Sequence, residues 1–327
     1  MKVGVDLGGT KIFAIATDEG QVVGELKAKT PVLGGPLAVV DAIVSVVREL
    51  GDGGPLDTVG IGAPGAVDFA TGEVRRAPNL KGWMDPFPLG PTLAEALGGV
   101  NVVVDNDVNV GTVAEHELGA AIDCPDVMGL FVGTGVGAGL ILDGRLRRGP
   151  TGFAGEIGHV VVRPGGRRCG CGGRGHLEAY AGRAGMERRA RQHHARGMDT
   201  VLVEWSKARR MTSSVFARAL GARDRVAVSL IDRAVETLGQ AIATAVTLLD
   251  VPLVVVGGGL ADRLGPPFVE RIQEASLAAM PSGQADNLRV IPGALGDRGG
   301  ALGAAVAAGA RVALATTATT ESAAGSA

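Results

Sequence analysis

The chain opens with apolar runs separated by short polar breaks. VGVDL is followed by GGTK, then IFAIA, then DEG, then QVVGELKAKT. Apolar runs of this length joined by Gly-rich turns predict a β-meander. From about Pro36 to Leu50 the period changes. Leu37, Val40, Ile43, Val44 and Val47 recur at helical spacing, predicting an amphipathic helix. TVGIGAP then reads as a strand, and a Pro/Gly-rich segment runs through PNLKGWMDPFPLGP. GVNVVVDND reads as a buried strand, and a helix is predicted from near Asp107. At residue 129 the opening pattern returns: GLFVGTGVGAGLILDG repeats apolar run, Gly/Thr turn, apolar run and DG. This predicts an internal duplication, with two lobes that each begin with a hairpin. Long helices are predicted at about 176–192 and 224–249. PLVVVGGGLADR predicts a strand, a triple-glycine turn and a helix start, and DRGGALGAAVAAGARVAL a last helix. The small, polar tail ATTATTESAAGSA predicts disorder over 317–327.

Buried strands alternating with helices place the chain in the α/β class. The 327 residues suit two lobes with cores of their own, and no long polar linker separates them, so the lobes are expected to pack across a cleft. The composition, 46% hydrophobic and 20% charged, is globular. A net charge of -2 gives no electrostatic case for nucleic acid or an anionic membrane. The longest apolar stretch is interrupted by Asp250 and Pro252, which argues against a membrane span. The start MKVGVDLGG lacks a signal-peptide pattern. Three cysteines cannot complete a disulfide framework, and Cys169 and Cys171 are too close to pair easily. A reduced, cytoplasmic setting follows as the expectation.

Three glycine turns are candidate phosphate cradles, because backbone N–H groups converge there and no Cβ blocks approach. The first holds Gly8, Gly9, Thr10 and Lys11, with Asp6 placed to hold a hydrated Mg²⁺. The second holds Gly133, Thr134 and Gly135. The third, Gly257, Gly258 and Gly259, precedes a helix N-terminus. Each alone is also an ordinary turn; together, one Thr-bearing turn per lobe could grip a polyphosphate. His159, Cys169, Cys171 and His176 form H-x9-C-x-C-x4-H, a donor set that suits structural Zn²⁺. Glu156 and Glu178 bracket that set and could accept hydrogen bonds from sugar hydroxyls. In DND, a carboxylate at a strand end could take a proton from a hydroxyl attacking a phosphoryl group. The spacing does not choose between Asp105 and Asp107, and a helix N-cap, for which Asp or Asn is ordinary, explains the pattern equally well.

These motifs together (VGVDLGGTK, GIGAPGAVD, PNLKGW, DNDVN, GTGVGAGL, and GEIGH followed by CGCGGRGHLE) resemble the ROK sugar kinases over nearly the whole chain, bacterial ROK glucokinases most of all. The resemblance implies an actin-like, hexokinase-type two-lobed fold. The small lobe would comprise 1–118 plus about 300–316, and the large lobe 119–299 with the zinc loop. Hinges are expected near 107–125 and 297–303, and the lobes are expected to close on sugar. ATP, Mg²⁺ and structural Zn²⁺ are implied, with transfer of the γ-phosphoryl group to a sugar hydroxyl, glucose being the leading substrate. Mannose, fructose, N-acetylmannosamine or N-acetylglucosamine are alternatives, as is polyphosphate for ATP. The family's base falls on Asp107 and its sugar contacts on Asn106, Glu156, His159 and Glu178, with Gly65 and Asn79 as lesser ones. His159 would serve both zinc and sugar. A homodimer or homotetramer is implied. The family's third zinc-loop cysteine is replaced by His176, and its commoner END by DND. Sugar-sensing ROK repressors carry a helix-turn-helix ahead of DLGGT, for which the sequence offers no segment.

Overall fold

The computed structural model describes residues 1–51, 54–77, 80–207 and 209–310. Two compact units emerge. Among the described residues, the first comprises Met1–Leu118, Arg148–Ala154 and the chain over 298–310; the second comprises Gly119–Arg147 and Gly155–Asp297. The chain passes between units at 118/119, 147/148, 154/155 and 297/298. The tail at 317–327 and the stretch 311–316 lie outside the described residues.

The strands of the first unit are β1 (Lys2–Leu7), β2 (Lys11–Asp18), β3 (Gln21–Lys29), β4 (Thr58–Ala63), β5 (Ala66–Asp68), β6 (Glu73–Arg76) and β7 (Asn101–Asn106). Its main sheet runs β3-β2-β1-β4-β7, with antiparallel pairs on the β3 side and parallel pairs on the β7 side. Strand β4 is buried throughout, as a strand covered on both faces should be, whereas β3 alternates and carries Glu25, Lys27 and Lys29 on the sheet edge. Helix α1 (Gly35–Gly51) buries Val39, Val40, Ile43, Val44, Val46 and Val47. Helices α2 (Leu89–Ala96) and α3 (Asp107–Leu118) complete the consecutive part of the unit. The Pro/Gly-rich segment forms the β5–β6 hairpin and places Trp83 fully in the core, where Nε1 donates to the Val74 carbonyl at 3.4 Å.

The final helix, described over 299–310, lies on this sheet at backbone contact. A Cβ at Gly60 would sit 1.9 Å from the Ala304 carbonyl oxygen, and one at Gly4 would sit 1.9 Å from that of Ala301. Only glycine permits that approach.

The second unit repeats the plan with β8 (Val127–Val132), β9 (Val136–Leu142), β10 (Arg145–Leu146), β11 (Leu253–Gly257) and β12 (Arg289–Pro292). The order is β10-β9-β8-β11-β12, with the same sequence of antiparallel and parallel pairs. The second turn of each meander matches too: Glu19–Gly20 and Asp143–Gly144 have φ values of 47° and 81°, and 53° and 68°. Two consecutive positive φ values are what a two-residue hairpin requires. The duplication read from the sequence is therefore real at the level of topology.

The long helix Arg225–Leu249 covers this sheet, capped by Asp224, whose Oδ1 accepts from the Ala227 N–H at 2.8 Å. The helix predicted over 176–192 is two pieces, Glu178–Ala181 and Arg183–His194. Gly182 between them is extended (φ -69°, ψ 135°), and a Cβ there would meet the Glu178 carbonyl at 2.8 Å and Gly135 Cα at 3.3 Å. Close packing on the glycine turn interrupts the helix. Among the described residues, no helix is long and apolar enough to cross a membrane.

Candidate active site

In the first unit, Asp6, Gly62 and Asp105 stand in register across β1, β4 and β7, at the carboxyl ends of the parallel strands. The turn after β1 is closed by the Gly8 N–H donating to the Lys11 carbonyl at 2.9 Å, and the Thr30 hydroxyl donates to the Gly8 carbonyl at 2.6 Å. Thr10 is exposed at its tip, while Asp6, Gly8, Gly9 and Lys11 are half-buried.

The three residues of DND have different surroundings. Asp105 is 3% exposed, accepts three hydrogen bonds and is ion-paired with Arg148. Its Oδ1 takes Asn106 N–H at 2.7 Å and Asn109 Nδ2 at 3.0 Å. Its Oδ2 takes Arg148 Nε at 2.8 Å and lies 2.7 Å from Arg148 Nη2. Asn106 caps α3: Oδ1 accepts from Val108 N–H at 2.9 Å and Asn109 N–H at 3.3 Å. Its Nδ2 donates to the Gly65 carbonyl at 3.1 Å. Gly65 has φ 92°, and a Cβ would lie 1.9 Å from the Arg76 carbonyl, so no other residue fits there. Asp107 is half-buried at the first position of α3, where Oδ1 also accepts from Val108 N–H at 2.9 Å. The N-cap reading thus holds for Asn106. Asn79 lies outside the described residues.

In the second unit, Gly133, Thr134 and Gly135 form the turn between β8 and β9, closed by the Gly133 N–H on the Gly135 carbonyl at 3.0 Å. Arg183 reaches it from the start of its helix. Nη2 donates to Thr134 Oγ1 at 2.6 Å and Nη1 to the Met211 carbonyl at 2.7 Å. Glu178 packs under the turn: Oε2 accepts from Val136 N–H at 3.4 Å, and a Cβ at Gly135 would lie 2.3 Å from it. The triple-glycine turn adjoins the same strand. Gly257 packs on the Phe131 ring and Gly258 (φ 90°) on the Val132 backbone, and Leu260 N–H donates to the Val132 carbonyl at 2.9 Å. A Cβ at Gly259 or Gly133 would meet nothing within 4 Å, so backbone is open there.

The cysteine–histidine stretch folds back on itself through bridges Val161↔His176 and Arg168↔Arg174. One donor atom from each of His159, Cys169, Cys171 and His176 falls within 4.8 Å of the others. Cys169 Sγ lies 3.9 Å from His159 Nδ1, and Cys171 Sγ 3.2 Å from His176 Nδ1. A tetrahedral zinc ion with bonds of about 2.0–2.3 Å holds its donors about 3.3–3.8 Å apart, so the set fits with small adjustments. His159 Nε2 is 3.6 Å from Glu156 Oε2, a carboxylate on the far ring nitrogen as in histidine metal sites generally. Burial above all pushes the Cys169 thiol up to about 11; the Cys171 side chain and the Glu178 charge add to this, and a backbone hydrogen bond from Cys171 opposes it. A cation bound there must displace that proton. Tyr180 backs the loop, its hydroxyl accepting from Arg167 N–H at 2.8 Å.

A sequence model of the ROK family matches residues 2–311. The chain belongs to the ROK family. It is 33% identical over 314 residues to the glucokinase of Streptomyces coelicolor, covering 93% of this chain and 96% of that one. The ROK hexokinase of Thermus thermophilus superposes with a TM-score of 0.77 at 35% identity, over 95% of this chain and 98% of the other. A ROK family glucokinase from Streptomyces griseus, solved with glucose and AMPPNP, gives 0.80 at 33% identity, over 94% and 98%. The α/β fold of this ROK protein is thus the actin-like one that its motifs imply.

The expected ROK site residues fall into two groups. Asp6, Gly8, Gly9, Thr10, Lys11, Gly65, Asn106 and Asp107 belong to the first unit. Gly133, Thr134, Gly135, Glu156, His159, Glu178, the triple glycine and the four metal donors belong to the second. Sequence reasoning missed Arg148, Asn109 and Arg183. No local motif marks the two arginines, whose partners are 43 and 49 residues away.

Proposed function

We propose that the protein is an ATP-dependent hexose kinase that phosphorylates glucose, with Asp107 as general base. The observation that carries the reading is the contrast at the end of β7: both oxygens of Asp105 are engaged by Asn106, Asn109 and Arg148, whereas Asp107 stands half-buried at the head of α3. ATP with Mg²⁺ supplies the γ-phosphoryl group when bound. Asp107 accepts the proton of the attacking sugar hydroxyl, and Asn106, steadied by the Gly65 carbonyl, orients that hydroxyl. Glu156, His159 and Glu178 read the ring hydroxyls as acceptors and donors. Asp6 would hold Mg²⁺ through its water, and the turns at 8–11, 133–135 and 257–259 would hold the nucleotide through backbone N–H groups. The four Cys and His donors would hold structural Zn²⁺, fixing Glu156 and Glu178 at the ends of the loop. A homo-oligomer and a role in cytoplasmic sugar metabolism accompany this reading.

The test is ADP formation from Mg-ATP over glucose, mannose, fructose, N-acetylmannosamine, N-acetylglucosamine and allose. Glucose should lead by about 100-fold in kcat/KM, equal to about 2.7 kcal/mol. No turnover with any of them, on zinc-loaded protein, would refute the kinase reading; a different leading sugar would refute glucose alone.

A further inference from the structure

Arg148 opens the segment 148–154, which the chain lays on the first unit before returning to the second at Gly155, one residue before Glu156. Its guanidinium presents Nε and Nη2 together to one oxygen of the buried Asp105, and its Cζ lies over the Phe69 ring, 3.6 Å from the centroid. Lysine, a point charge on a flexible stem, cannot reproduce that fork and stack. The segment is held further along, where a Cβ at Gly152 would lie 2.9 Å from the Val67 carbonyl. Between it and the β5–β6 hairpin is a cavity of about 250 Å³ lined by Phe69, Asn106, Asn109 and Arg148 among others. The other charged groups on that cavity, Asp68 and Arg75, pair with each other at 2.6 Å. Asp6, two strands from Asp105 in register, is the further carboxylate on this end of the sheet. Arg148 is therefore the cation that balances Asp105, and Asp105 is two residues from the proposed base.

We propose that Arg148 is a positioning residue for phosphoryl transfer. Its fork on Asp105 fixes the strand end that carries Asn106 and Asp107, and it neutralises a carboxylate that would otherwise hinder ionisation of the base. The inference rests on Asp107 being that base. Arg148 touches neither substrate nor reacting atoms in this account; it acts through Asp105, the Asn106 N–H and Asn109.

The full-length chain with glucose and Mg-ATP provides the test, read as kcat, each KM and kcat/KM for glucose from about pH 5 to 9. Arg148→Ala should lower kcat by about 30-fold, leave the KM for ATP within about twofold, and move the acidic limb of the profile upward by about half a unit or more. Arg148→Lys should restore the limb but only part of kcat. The double variant Asp105→Asn, Arg148→Ala removes both charges and should return the limb to its original position while kcat stays low. A purely structural arginine would lower melting temperature without moving the limb. If Arg148→Ala does not fold, Arg148→Gln, which keeps the stem and removes the charge, carries the same two predictions for kcat and for the limb. A folded Arg148→Ala or Arg148→Gln with kcat within threefold and an unmoved limb would overturn the proposal. Asp107→Asn separates the two failures: turnover retained there removes the base, whereas turnover lost there with Arg148 variants unaffected removes only the positioning role.

Discussion

The two units share one strand order and use its ends differently. At the same register position beside the β4 and β11 glycines, the first unit has Asp6 against Gly62 and the second has Phe131 against Gly257. Asp6 puts charge at the strand end, while Phe131 packs its ring on the glycine. Two residues back along β4 and β11, the first unit has Gly60 under a close helix and the second has Val255, fully buried in an apolar cluster. The last parallel strands diverge most. β7 ends in Asp105-Asn106 and runs directly into helix α3 at Asp107, and β12 ends at Pro292, followed by Gly293. One copy of the scaffold therefore carries the acids and the other carries open glycine backbone and the cysteine–histidine loop. Duplication supplies the frame, and small changes at equivalent positions divide the chemistry.

The largest effect is expected from Gly60→Ala. The new methyl would collide with the Ala304 carbonyl, so the helix must move and stability should fall by more than about 3 kcal/mol in a denaturant titration. Retained stability would mean the close approach is not what distinguishes the first unit. Chelation comes next. Removing zinc should lower the melting free energy by about 3 kcal/mol or more, through the second unit alone. Because the buried Cys169 thiol, raised to about 11, must lose a proton to bind, zinc affinity should fall continuously as pH is lowered below that value, through neutral and beyond. Purified protein with under half an equivalent of zinc would contradict the donor set. Arg183→Ala frees the Thr134 hydroxyl and should raise the KM for ATP by about tenfold, about 1.4 kcal/mol, with little change for glucose. Gly259→Ala is the smallest. Its Cβ meets no neighbour, so stability should stay within about 0.5 kcal/mol while the KM for ATP rises by about threefold. An unchanged KM would leave Gly259 as a turn residue only.

Both hairpins were legible because apolar runs flank a Gly/Thr turn and a following EG or DG, signals that are entirely local. The β5–β6 hairpin was not, since β5 is three residues long inside a Pro/Gly-rich stretch. The helices Val201–Ser206 and Ser213–Gly221 were also not singled out; each is shorter than the periodic window needed to see it. The break at Gly182 depends on Gly135, distant in sequence. At the candidate site, spacing brought the four metal donors together but left Asp105 and Asp107 equivalent. What separates them is Arg148, which arrives from 43 residues away.

The most direct measurement is turnover and glucose binding by Asp107→Asn. With Asp107 as the base, kcat should fall by about a thousandfold or more while glucose affinity stays within a few-fold, because the amide keeps the site's shape and cannot take the proton. Turnover within tenfold of the unaltered protein would contradict it.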